Sequence, residues 1–312
     1  MTIASTISKA AALLRDGGLV AFPTETVYGL GADATNDAGV AKIFATKQRP
    51  QFNPLIAHLP DAEAAFRLGV FTKDAEKLAD AIWPGPLTIV VERRKDCPIS
   101  LLCSAGLSTV ALRVPAHPMA LELLKAVDRP LAAPSANRSG RISPTTADHV
   151  RASLGDTVDM ILDGGSSSVG VESTVVRFTD DGPYLLRSGG VARETLDNIL
   201  GRKVMTPTRF HTDLHSPGQL ESHYAPQAQL RLNAAAPEWG EAYLGFGLYD
   251  YGPWQLSKSG NLHEAAANLF KMLHAIDDSS PERIAVAPIP MSGLGEAIND
   301  RLTRAAAPRQ KL

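Results

Sequence analysis

The chain has 312 residues, of which 44% are hydrophobic and 21% are charged, and its formal net charge is −2. This length allows two domains of ordinary size, each with its own core. The near-zero net charge excludes a generally basic surface for a nucleic-acid backbone, so any anion site must be local.

The first two hundred residues predict strands and helices in irregular order. The predicted helices cover 6–15, about 37–47 after a cap at Asn36 or Asp37, 61–68, 73–82, 117–127 and 145–153. The predicted strands cover 19–22, 55–59, 87–93, 109–115, 130–136 and regions near 158–162, 173–178 and 183–187. Because these elements do not alternate strictly, they indicate an α/β domain with a twisted, mixed sheet.

The sequence pattern changes over 201–228, where proline, glycine and histidine residues interrupt any periodic spacing of apolar residues. A connection this long is usually functional or disordered. Beyond it, a strand near 242–250, a helix over 261–275, a strand within 283–290 and a helix over 294–306 predict a small βαβ-like unit. We therefore expect a first domain over 1–200, a linker over 201–228 and a second domain over 229–312.

Composition also predicts where the protein works. Cys97 and Cys103 are expected to be reduced thiols rather than a disulfide, and no Cys/His set has metal-ligand spacing. No stretch reaches the ~18 apolar residues that a membrane span needs. Residues 1–18 predict an amphipathic helix rather than a signal peptide. We expect a cytoplasmic protein with no membrane contact.

Residues 29–34 fit the pattern G-x-G-x-x-A after a strand. A dinucleotide-binding fold places such glycines directly at the strand–helix turn, with an acidic residue ~20 positions later. Here residues 23–28 intervene, and the later positions hold Lys47, Gln48 and Arg49. The dinucleotide interpretation is therefore disfavoured, and no P-loop pattern is present.

A Lys-x-Arg turn follows the second predicted helix. Lys47 and Arg49 precede Pro50, which is expected to end that helix. The turn directs two cations toward one region, where arginine suits bidentate phosphate contact and lysine acts as a point charge. Asn53 adds a neutral donor and acceptor. The alternative is a solvated surface turn, which Pro50 and Pro54 disfavour because they fix the turn against the core.

Polar residues also follow the strand predicted over 130–136. Ser135 and Asn137 are two apart, so on an extended segment they face the same side and suit an adenylate or amino acid. Ser143 and Thr145 come next. The alternative is a polar loop with a helix cap at Ser143, although a helix N-terminus also favours anions.

Charged residues at strand ends form a further set of candidates. Arg113 and Arg187 each end an apolar strand, where an unpaired charge is costly, so each needs an anionic partner. Residues 163–174, DGGSSSVGVEST, suggest a backbone cradle, and a flexible hairpin fits them equally well. His58 also ends a strand, and alone it is better interpreted as a satisfied core histidine.

Together these segments resemble the Sua5/YrdC/YciO family. PTETVYGLG, the K-x-R of 47–49 followed by NPL, WPGPLT, LRVP, the S-x-N of 135–137 and GVEST occur in that family's order over about residues 8–200. The segment SPGQLESHYAP and the C-terminal domain resemble the longer, Sua5-type members. The resemblance implies a twisted mixed-sheet YrdC-like catalytic domain with a concave site, followed by a small Rossmann-like α/β domain.

The resemblance also implies a nucleotidyltransferase. It would make L-threonylcarbamoyladenylate from L-threonine, bicarbonate and ATP, releasing pyrophosphate, for the N6-threonylcarbamoyl modification of adenosine 37 in tRNA. Mg²⁺ would arrive with ATP and not on protein side chains alone. A downstream tRNA threonylcarbamoyltransferase would receive the product, no covalent enzyme intermediate would form, and the linker would act as a lid that excludes water.

Site residues follow from the same resemblance. ATP would contact Lys47, Arg49, Asn53, Thr109, Asn137, Ser143, Thr145, Arg187 and Tyr224. L-threonine would contact Thr26, His58, Arg113, Ser135 and Ser173. The reaction itself would depend on Lys47, Arg49, Ser135 and Asn137. The stretch Gln219-Leu220-Glu221-Ser222 departs from the basic or aromatic residues usual there, which weakens the expectation of a linker contact with the triphosphate.

Three other functions stay open at this point. One is a different carbamoyl or acyl adenylation, as in hydrogenase-maturation carbamoyltransferases, whose zinc-finger and acylphosphatase modules have no counterpart in these 312 residues. The second is a double-stranded RNA-binding module, which the neutral charge restricts to a weak RNA contact. The third is a regulator that binds ATP without turnover.

Overall fold

The computed structural model describes residues 3–50, 52–207 and 223–308. A large sheet and a small sheet organise these residues. The strands of the large sheet are β1 (Val20–Phe22), β2 (Gly29–Asp33), β3 (Ile56–His58), β4 (Gly69–Val70), β5 (Leu87–Arg93), β6 (Thr109–Arg113), β7 (Leu131–Ala132), β8 (Met160–Ile161), β9 (Thr174–Thr179) and β10 (Gly182–Arg187). The small sheet contains β11 (Gln229–Arg231), β12 (Glu241–Gly245), β13 (Trp254–Gln255) and β14 (Arg283–Val286). The helices are α1 (Ile3–Arg15), α2 (Asp37–Lys47), α3 (Ala62–Phe66), α4 (Lys73–Ile82), α5 (Pro118–Val127), α6 (Ala147–Leu154), α7 (Arg193–Leu200), α8 (Leu262–Asp278) and α9 (Gly295–Ala306).

The large sheet is mixed, as the sequence predicts. Its strand order is β10-β9-β5-β6-β3-β7-β2-β1-β8, with β4 beside β5. Strand β3 runs parallel to β6, and His58 lies opposite Arg113 in this register. Because parallel neighbours end at the same edge of a sheet, two side chains expected to bind one substrate are brought together there.

Helices cover the large sheet with apolar faces of helical spacing. In α1, Ile7, Ala10, Ala11 and Leu14 are buried at intervals of three and four, which is the pattern of an amphipathic helix. They pack with α5 and β1 in one core, whereas α2 and α4 join a larger core with β2, β3 and β5. Helix α2 is capped by Asn36, whose Oδ1 accepts from the amides of Ala38 and Gly39, as expected.

The segment resembling a dinucleotide motif is strand β2, which the sequence analysis did not predict. It pairs antiparallel with β1, and Gly31 lies opposite Val20. A Cβ on Gly31 would stand 2.8 Å from Cε1 of Phe22, so an alanine there would collide with that ring. The glycine is therefore required for close packing inside the sheet and not for a turn around a cofactor.

Two predicted boundaries are wrong near residues 130–146. Strand β7 covers only 131–132, because residues 134–136 leave the regular ladder and bond irregularly to the start of β2. The helix that comes next is capped by Thr146, whose hydroxyl accepts from the amide of His149. Ser143 is not the cap, because its hydroxyl donates to the carboxylate of Glu172 at 2.6 Å.

The C-terminal unit is a four-stranded parallel sheet of order β11-β14-β12-β13 with helices α8 and α9, which confirms the predicted small α/β fold. Its hydrophobic core does not stop at the domain boundary. Val27, Ile142, Val171 and Tyr224 belong to the same cluster of buried side chains. The second unit therefore packs directly against segments that flank the predicted site.

The state of the two cysteines agrees with the prediction from composition. Cys97 and Cys103 are both free thiols, and burial raises the pKa of Cys103 to about 12. Among the described residues, no helix combines the length and the apolar character that crossing a bilayer requires.

Two histidines stack across the contact between the two units. His149 on α6 and His274 on α8 have ring centroids 3.8 Å apart at an interplanar angle of 21°. The His274 Nε2 lies 3.2 Å from the carbonyl oxygen of Ser143. Burial lowers the pKa of each histidine to about 4, and for His149 the adjacent His274 lowers it further. Both rings are therefore neutral in the folded protein near pH 7.

This stack is expected to make the domain contact sensitive to acid. The unfolded chain binds these protons near the ordinary histidine pKa of about 6.5, whereas the folded chain binds them only near 4. The stack's contribution is thus complete above pH 6.5 and is lost as pH falls toward 4. We expect urea midpoints of His274→Gln to fall less over that range than wild-type midpoints. His263→Gln, at an exposed position of the same helix, is the control, and equal falls in all three proteins would contradict the prediction.

Candidate active site

One cavity of about 580 Å³, counting its open mouth, lies at the edge where β3, β6 and β10 end. Residues from distant parts of the chain form its wall. They are Thr24, Thr26, Val27, Gly29, Arg49, Pro54, Leu55, Ile56, His58, Arg113, Ala133, Pro134, Ser135, Glu172, Ser173, Arg187, His223 and Tyr224. The wall thus combines hydroxyls, arginines and an aromatic ring within one concave surface.

The segment after β1 folds back through the hydroxyl of Thr24. That hydroxyl donates to the carbonyl of Val27 at 2.6 Å and accepts from the Val27 and Thr26 amides at 3.2 Å. The side-chain oxygens of Thr24 and Thr26 are 2.8 Å apart. Since the Thr24 proton is already committed to Val27, Thr26 is the donor in this pair, and its oxygen keeps acceptor capacity toward the cavity.

A buried ion pair supports the same wall. Glu25 accepts from a terminal guanidinium nitrogen of Arg113 at 2.6 Å and from the amide of Ala116 at 2.9 Å. The two side chains are 8% and 4% exposed, and Nε of Arg113 has no partner among the described residues. The sequence analysis expects an anionic partner for Arg113 but misses Glu25. Glu25 could have been found because it comes soon after a buried strand, and a buried carboxylate needs a cation as its partner.

His58 lies beside Arg113 at the end of β3. Its Nδ1 is 3.3 Å from the carbonyl oxygen of Ile56, and its ring meets Phe22 edge-on at a centroid distance of 6.2 Å. Burial, reinforced by the charge of Arg113, lowers the pKa of His58 to about 3. The imidazole is therefore a neutral hydrogen-bonding group and not a cation.

The two cations of the Lys-x-Arg turn have different environments. Arg49 lines the cavity and donates to the carbonyls of Asn53 and Pro54 at 3.3 and 3.1 Å. Burial lowers its pKa to about 10, so it stays charged at neutral pH. Lys47 is 1% exposed and lies outside the wall, where burial and Arg49 hold its pKa well below the usual value.

The Nζ of Lys47 donates hydrogen bonds to the backbone of the S-x-N segment. It donates to the carbonyl oxygen of Ser135 at 2.5 Å and also to that of Asn137. Ser135 lines the cavity. The Asn137 amide nitrogen donates to the carbonyls of Arg138 and Arg141 at 2.8 and 2.9 Å, while its oxygen is buried without a partner in the described part of the chain. This geometry gives Lys47 a supporting position.

Arg187 and Ser173 are in direct contact in the cavity wall. Nε and a terminal nitrogen of Arg187 donate to the Ser173 carbonyl at 3.1 and 2.8 Å, and the same terminal nitrogen reaches the Ser173 hydroxyl at 3.1 Å. Thr88 lies 2.7 Å from that hydroxyl. Burial lowers the pKa of Arg187, which nevertheless keeps a cation at the wall.

The described end of the linker covers the cavity. Ala225 bridges to Arg141, and its amide donates to the carbonyl of Gly140 at 2.9 Å. Tyr224 is 1% exposed, has a φ of 64° and packs on Phe270 at a centroid distance of 5.5 Å. His223 also lines the wall, and the sequence analysis misses it. The stretch 219–222 lies outside the described residues.

Glu172 is a wall residue that the sequence analysis also misses. It accepts from the Ser143 hydroxyl at 2.6 Å and from Nε of Arg301 at 2.9 Å. Burial alone would raise the pKa of Glu172, but Arg301, Arg187 and these hydrogen bonds hold it below its ordinary value. The carboxylate therefore stays ionised, and the cation that holds it comes from helix α9.

The structure brings some predicted residues to the cavity and leaves others outside it. The wall contains Thr26, Arg49, His58, Arg113, Ser135, Ser173, Arg187 and Tyr224. Lys47, Asn53, Asn137, Ser143 and Thr145 are buried behind it, and Thr109 lies at the start of β6. At about 3.4 Å per residue, Thr109 is roughly 14 Å from Arg113 along that strand.

The charge of the wall suits anions. The wall contains three guanidinium groups, those of Arg49, Arg113 and Arg187, and one carboxylate, that of Glu172. His58 and His223 have lowered pKa values because they are buried. Because these arginines are shielded from bulk water, their interaction with a negatively charged ligand is stronger than it would be in solution. A phosphate-bearing molecule and a carboxylate together match this distribution.

Comparison with known proteins gives the same segments a family context. The profile of Sua5, YciO and YrdC proteins, described as "Telomere recombination", matches residues 12–189, and that of the threonylcarbamoyl-AMP synthase C-terminal domain matches residues 191–307. A threonylcarbamoyl-AMP synthase of Bacillus subtilis is 39% identical over 330 residues, covering 97% of this chain and 93% of the relative. One of Pyrococcus abyssi is 39% identical over 324 residues, covering 96% and 94%.

Solved structures extend the likeness to the fold. The crystal structure of P. abyssi Sua5 complexed with L-threonine superimposes with a TM-score of 0.88 at 37% identity, covering 97% of this chain and 94% of that chain. Escherichia coli YciO matches the fold alone, with a TM-score of 0.54 at 24% identity, over 60% of this chain and 90% of its own. The chain therefore belongs to the Sua5/YrdC/YciO family, and its second domain is that of the Sua5-type members.

Proposed function

We propose that this chain synthesises L-threonylcarbamoyladenylate from L-threonine, bicarbonate and ATP, with release of pyrophosphate. The observation that carries the proposal is the cavity in which Thr26, Arg49, Arg113 and Arg187 meet from four distant segments. The full-length likeness to the B. subtilis and P. abyssi threonylcarbamoyl-AMP synthases supports the same reaction.

The threonine end of the cavity is formed by the residues at the ends of β3 and β6. Arg113 lines the cavity, and its guanidinium is the group assigned to the substrate carboxylate. The Thr26 oxygen accepts from the substrate amine. Ser135, Ser173 and the neutral His58 supply the remaining hydrogen-bonding groups around it.

The nucleotide end is formed by Arg49, Arg187 and Tyr224. Asn53 and Asn137 each bury a side-chain oxygen that has no partner in the described chain, and such acceptors are rare unless a ligand or water completes them. Lys47 contributes by fixing Ser135 and Asn137. Ser143 and Thr145 act through Glu172 and His149, their neighbours. Thr109 has the weakest support, because it begins β6 at the end opposite Arg113.

Mg²⁺ enters as part of the substrate. Among the described residues, no group of three or more His, Cys, Asp or Glu side chains could hold a metal ion. The oxygens of the ATP phosphates are hard ligands that bind Mg²⁺ with few protein groups. The ion would offset phosphate charge together with Arg49, and the protein would also position the reactants.

The chemistry requires no covalent bond to the enzyme. The threonine nitrogen bonds to the carbon of bicarbonate with loss of water, and an oxygen of the resulting carbamate attacks the α-phosphorus of ATP as the bond to pyrophosphate breaks. Holding the reactants in line converts a slow multi-molecular process into a local one. Arg49 and Arg187 stabilise the charge that develops on the leaving group.

The domain division follows from these roles. Residues 1–200 form the catalytic domain, 201–228 the linker and 229–312 the C-terminal domain. Residues 223–228 seat Tyr224 at the wall through the Ala225 contacts, so the linker acts as a lid that keeps water from the labile carbamate. Undiminished synthesis by a chain lacking 205–228 would contradict the lid.

Because the product is labile, a second enzyme must use it soon after its release. A carbamoyl–phosphate anhydride hydrolyses readily, so a cytoplasmic threonylcarbamoyltransferase must pass the threonylcarbamoyl group to adenosine 37 of tRNA soon after release. The synthase itself then needs only a weak RNA contact, which agrees with a net charge of −2.

Mass spectrometry of reaction products tests the proposal directly. Purified chain incubated with threonine, bicarbonate, Mg²⁺ and ATP is expected to yield threonylcarbamoyladenylate and pyrophosphate, and omission of threonine is expected to abolish both. ATP binding without product would indicate a regulator, a carbamoyl or acyl adenylate lacking threonine would indicate a different adenylation, and a gel shift on double-stranded RNA that persists at moderate salt would indicate an RNA-binding module.

A further inference from the structure

A cation from the last helix reaches the back of the cavity wall. Arg301 on α9 is 0% exposed. Its Nε donates to Glu172 at 2.9 Å, and one terminal nitrogen donates to the Ser188 carbonyl at 2.7 Å and to Asp300 at 2.8 Å. Its guanidinium carbon lies 5.5 Å from the ring centroid of Tyr224. Both Glu172 and Tyr224 line the cavity, whereas Arg301 does not.

The hydrogen bonds to Glu172 and Ser188 cross from the C-terminal domain into the catalytic domain. Burying a guanidinium is costly unless charge and hydrogen bonds compensate it. Although burial alone would lower the pKa of Arg301, Tyr224, Glu172 and Asp300 together raise it, so the charge persists inside the protein. An interface that needed only adhesion would be served more simply by apolar packing, which this interface already has.

We propose that Arg301 is a positioning residue of the adenylation site: it fixes Glu172 and Tyr224 in the cavity wall and thereby makes helix α9 part of the site. The inference rests on the proposed synthase function. The catalytic domain and the end of the linker then supply the cavity wall, and the C-terminal domain sets the positions of two wall residues.

The same helix provides a matched contact that lacks this role. Glu296 forms a bidentate pair with Arg193 at 2.6 and 3.1 Å, and the two side chains are 25% and 24% exposed. This pair joins α9 to α7, but neither of its members lines the cavity. A purely structural function of α9 would make the two ion pairs equivalent in their effect on synthesis.

Loss of Arg301 has a specific electrostatic consequence. Glu172 is faced by Arg301 from α9, Arg187 from β10, Tyr224 from the linker end and the Ser143 hydroxyl. Without Arg301, fewer groups would oppose the effect of burial, and the pKa of Glu172 would rise. The acid limb of the activity profile would then move to higher pH, a change that simple loosening of an interface does not produce.

The experiment compares Arg301→Met, Arg301→Lys and Glu296→Gln in the full chain. Threonine-dependent pyrophosphate release is measured as kcat and KM for ATP and threonine, from pH 5.5 to 9. We expect kcat/KM to fall about 100-fold in Arg301→Met, since small misplacement of site groups costs this much. The acid limb of the pH–activity profile of Arg301→Met should move to higher pH. Arg301→Lys should recover part of the activity, and Glu296→Gln should have the activity of wild type.

Each outcome has a defined meaning. Product formation by wild type, with Arg301→Met behaving like Glu296→Gln, would overturn this inference and leave the proposed function intact. Absence of product from wild type would overturn the function and this inference with it. If Arg301→Met does not fold, the pair Glu172→Gln and Glu172→Gln/Arg301→Met removes the unpaired carboxylate. The second substitution should then add little to the first, and additive losses would contradict positioning through Glu172.

Discussion

Arg113→Met is expected to lose threonine-dependent pyrophosphate release and about 3–5 kcal/mol of stability toward unfolding. The substitution leaves the buried carboxylate of Glu25 with only the amide of Ala116 as a described partner. It also removes the guanidinium proposed to bind the carboxylate of threonine. Urea denaturation measures the loss of stability, and threonine titration by calorimetry together with a pyrophosphate assay measures the loss of function.

The double variant Glu25→Gln/Arg113→Met separates the two effects. Removing both charges should recover most of the stability, because replacing an entire buried ion pair is often close to neutral. Threonine binding and synthesis should stay lost, because neither new side chain can hold a carboxylate by charge. Return of synthesis together with stability would mean that Arg113 acts only by neutralising Glu25.

Arg49→Ala is expected to reduce kcat for synthesis about 100-fold or more while the fold survives. Arg49 lines the cavity near Arg187 and is proposed to stabilise the departing pyrophosphate. Its described hydrogen-bond partners are the carbonyls of Asn53 and Pro54, so its removal strands no buried carboxylate. Single-turnover measurements with saturating ATP and threonine distinguish this loss in chemistry from weaker binding.

Arg67→Ala is the matched control for Arg49→Ala. Arg67 is exposed and pairs with Glu63 at the surface of α3, a type of contact worth only about 0–1 kcal/mol. Synthesis by this variant should equal that of wild type. Near-normal turnover by correctly folded Arg49→Ala would remove Arg49 from the reaction.

Local rules place several residues of the cavity wall at strand ends, whereas their assignment to substrates comes from the family resemblance. His58, Arg113 and Arg187 end strands of the sheet, and parallel pairing of β3 with β6 brings the first two together. The turn at 47–49 could be placed because Pro50 cannot continue the helix. Sequence patterns of this kind identify which residues reach an edge of a sheet.

The remaining site residues depend on contacts across long stretches of chain. Glu25 pairs with Arg113, and Glu172 pairs with Arg301, so each partner lies far away in sequence. Lys47 lies where the sequence predicts a cation, but burial and Arg49 lower its pKa, and its Nζ donates inward to two carbonyls instead of pointing into the cavity. Local periodicity contains no information about such pairs, because tertiary packing decides which partner each charge finds.

Strand β2 shows why a motif alone could not identify the fold of this segment. The glycines of 29–31 have the spacing of a phosphate-binding turn, yet their absent side chains make room for Phe22 in the neighbouring strand. Glycine serves both purposes for the same reason, close approach, and only the position of the approaching group differs. The structure places these glycines inside a strand and not at a strand–helix turn, and the sequence analysis did not predict that strand.

The absence of a side chain at Gly31 also affects residues outside its own strand. It leaves space for the Phe22 ring, and that ring stands edge-on against the imidazole of His58 in the cavity wall. A methyl group added at Gly31 would displace the Phe22 ring and, through it, the imidazole of His58, which is proposed to bind threonine. Selectivity among amino acids is therefore expected to respond to a substitution at a residue outside the cavity wall.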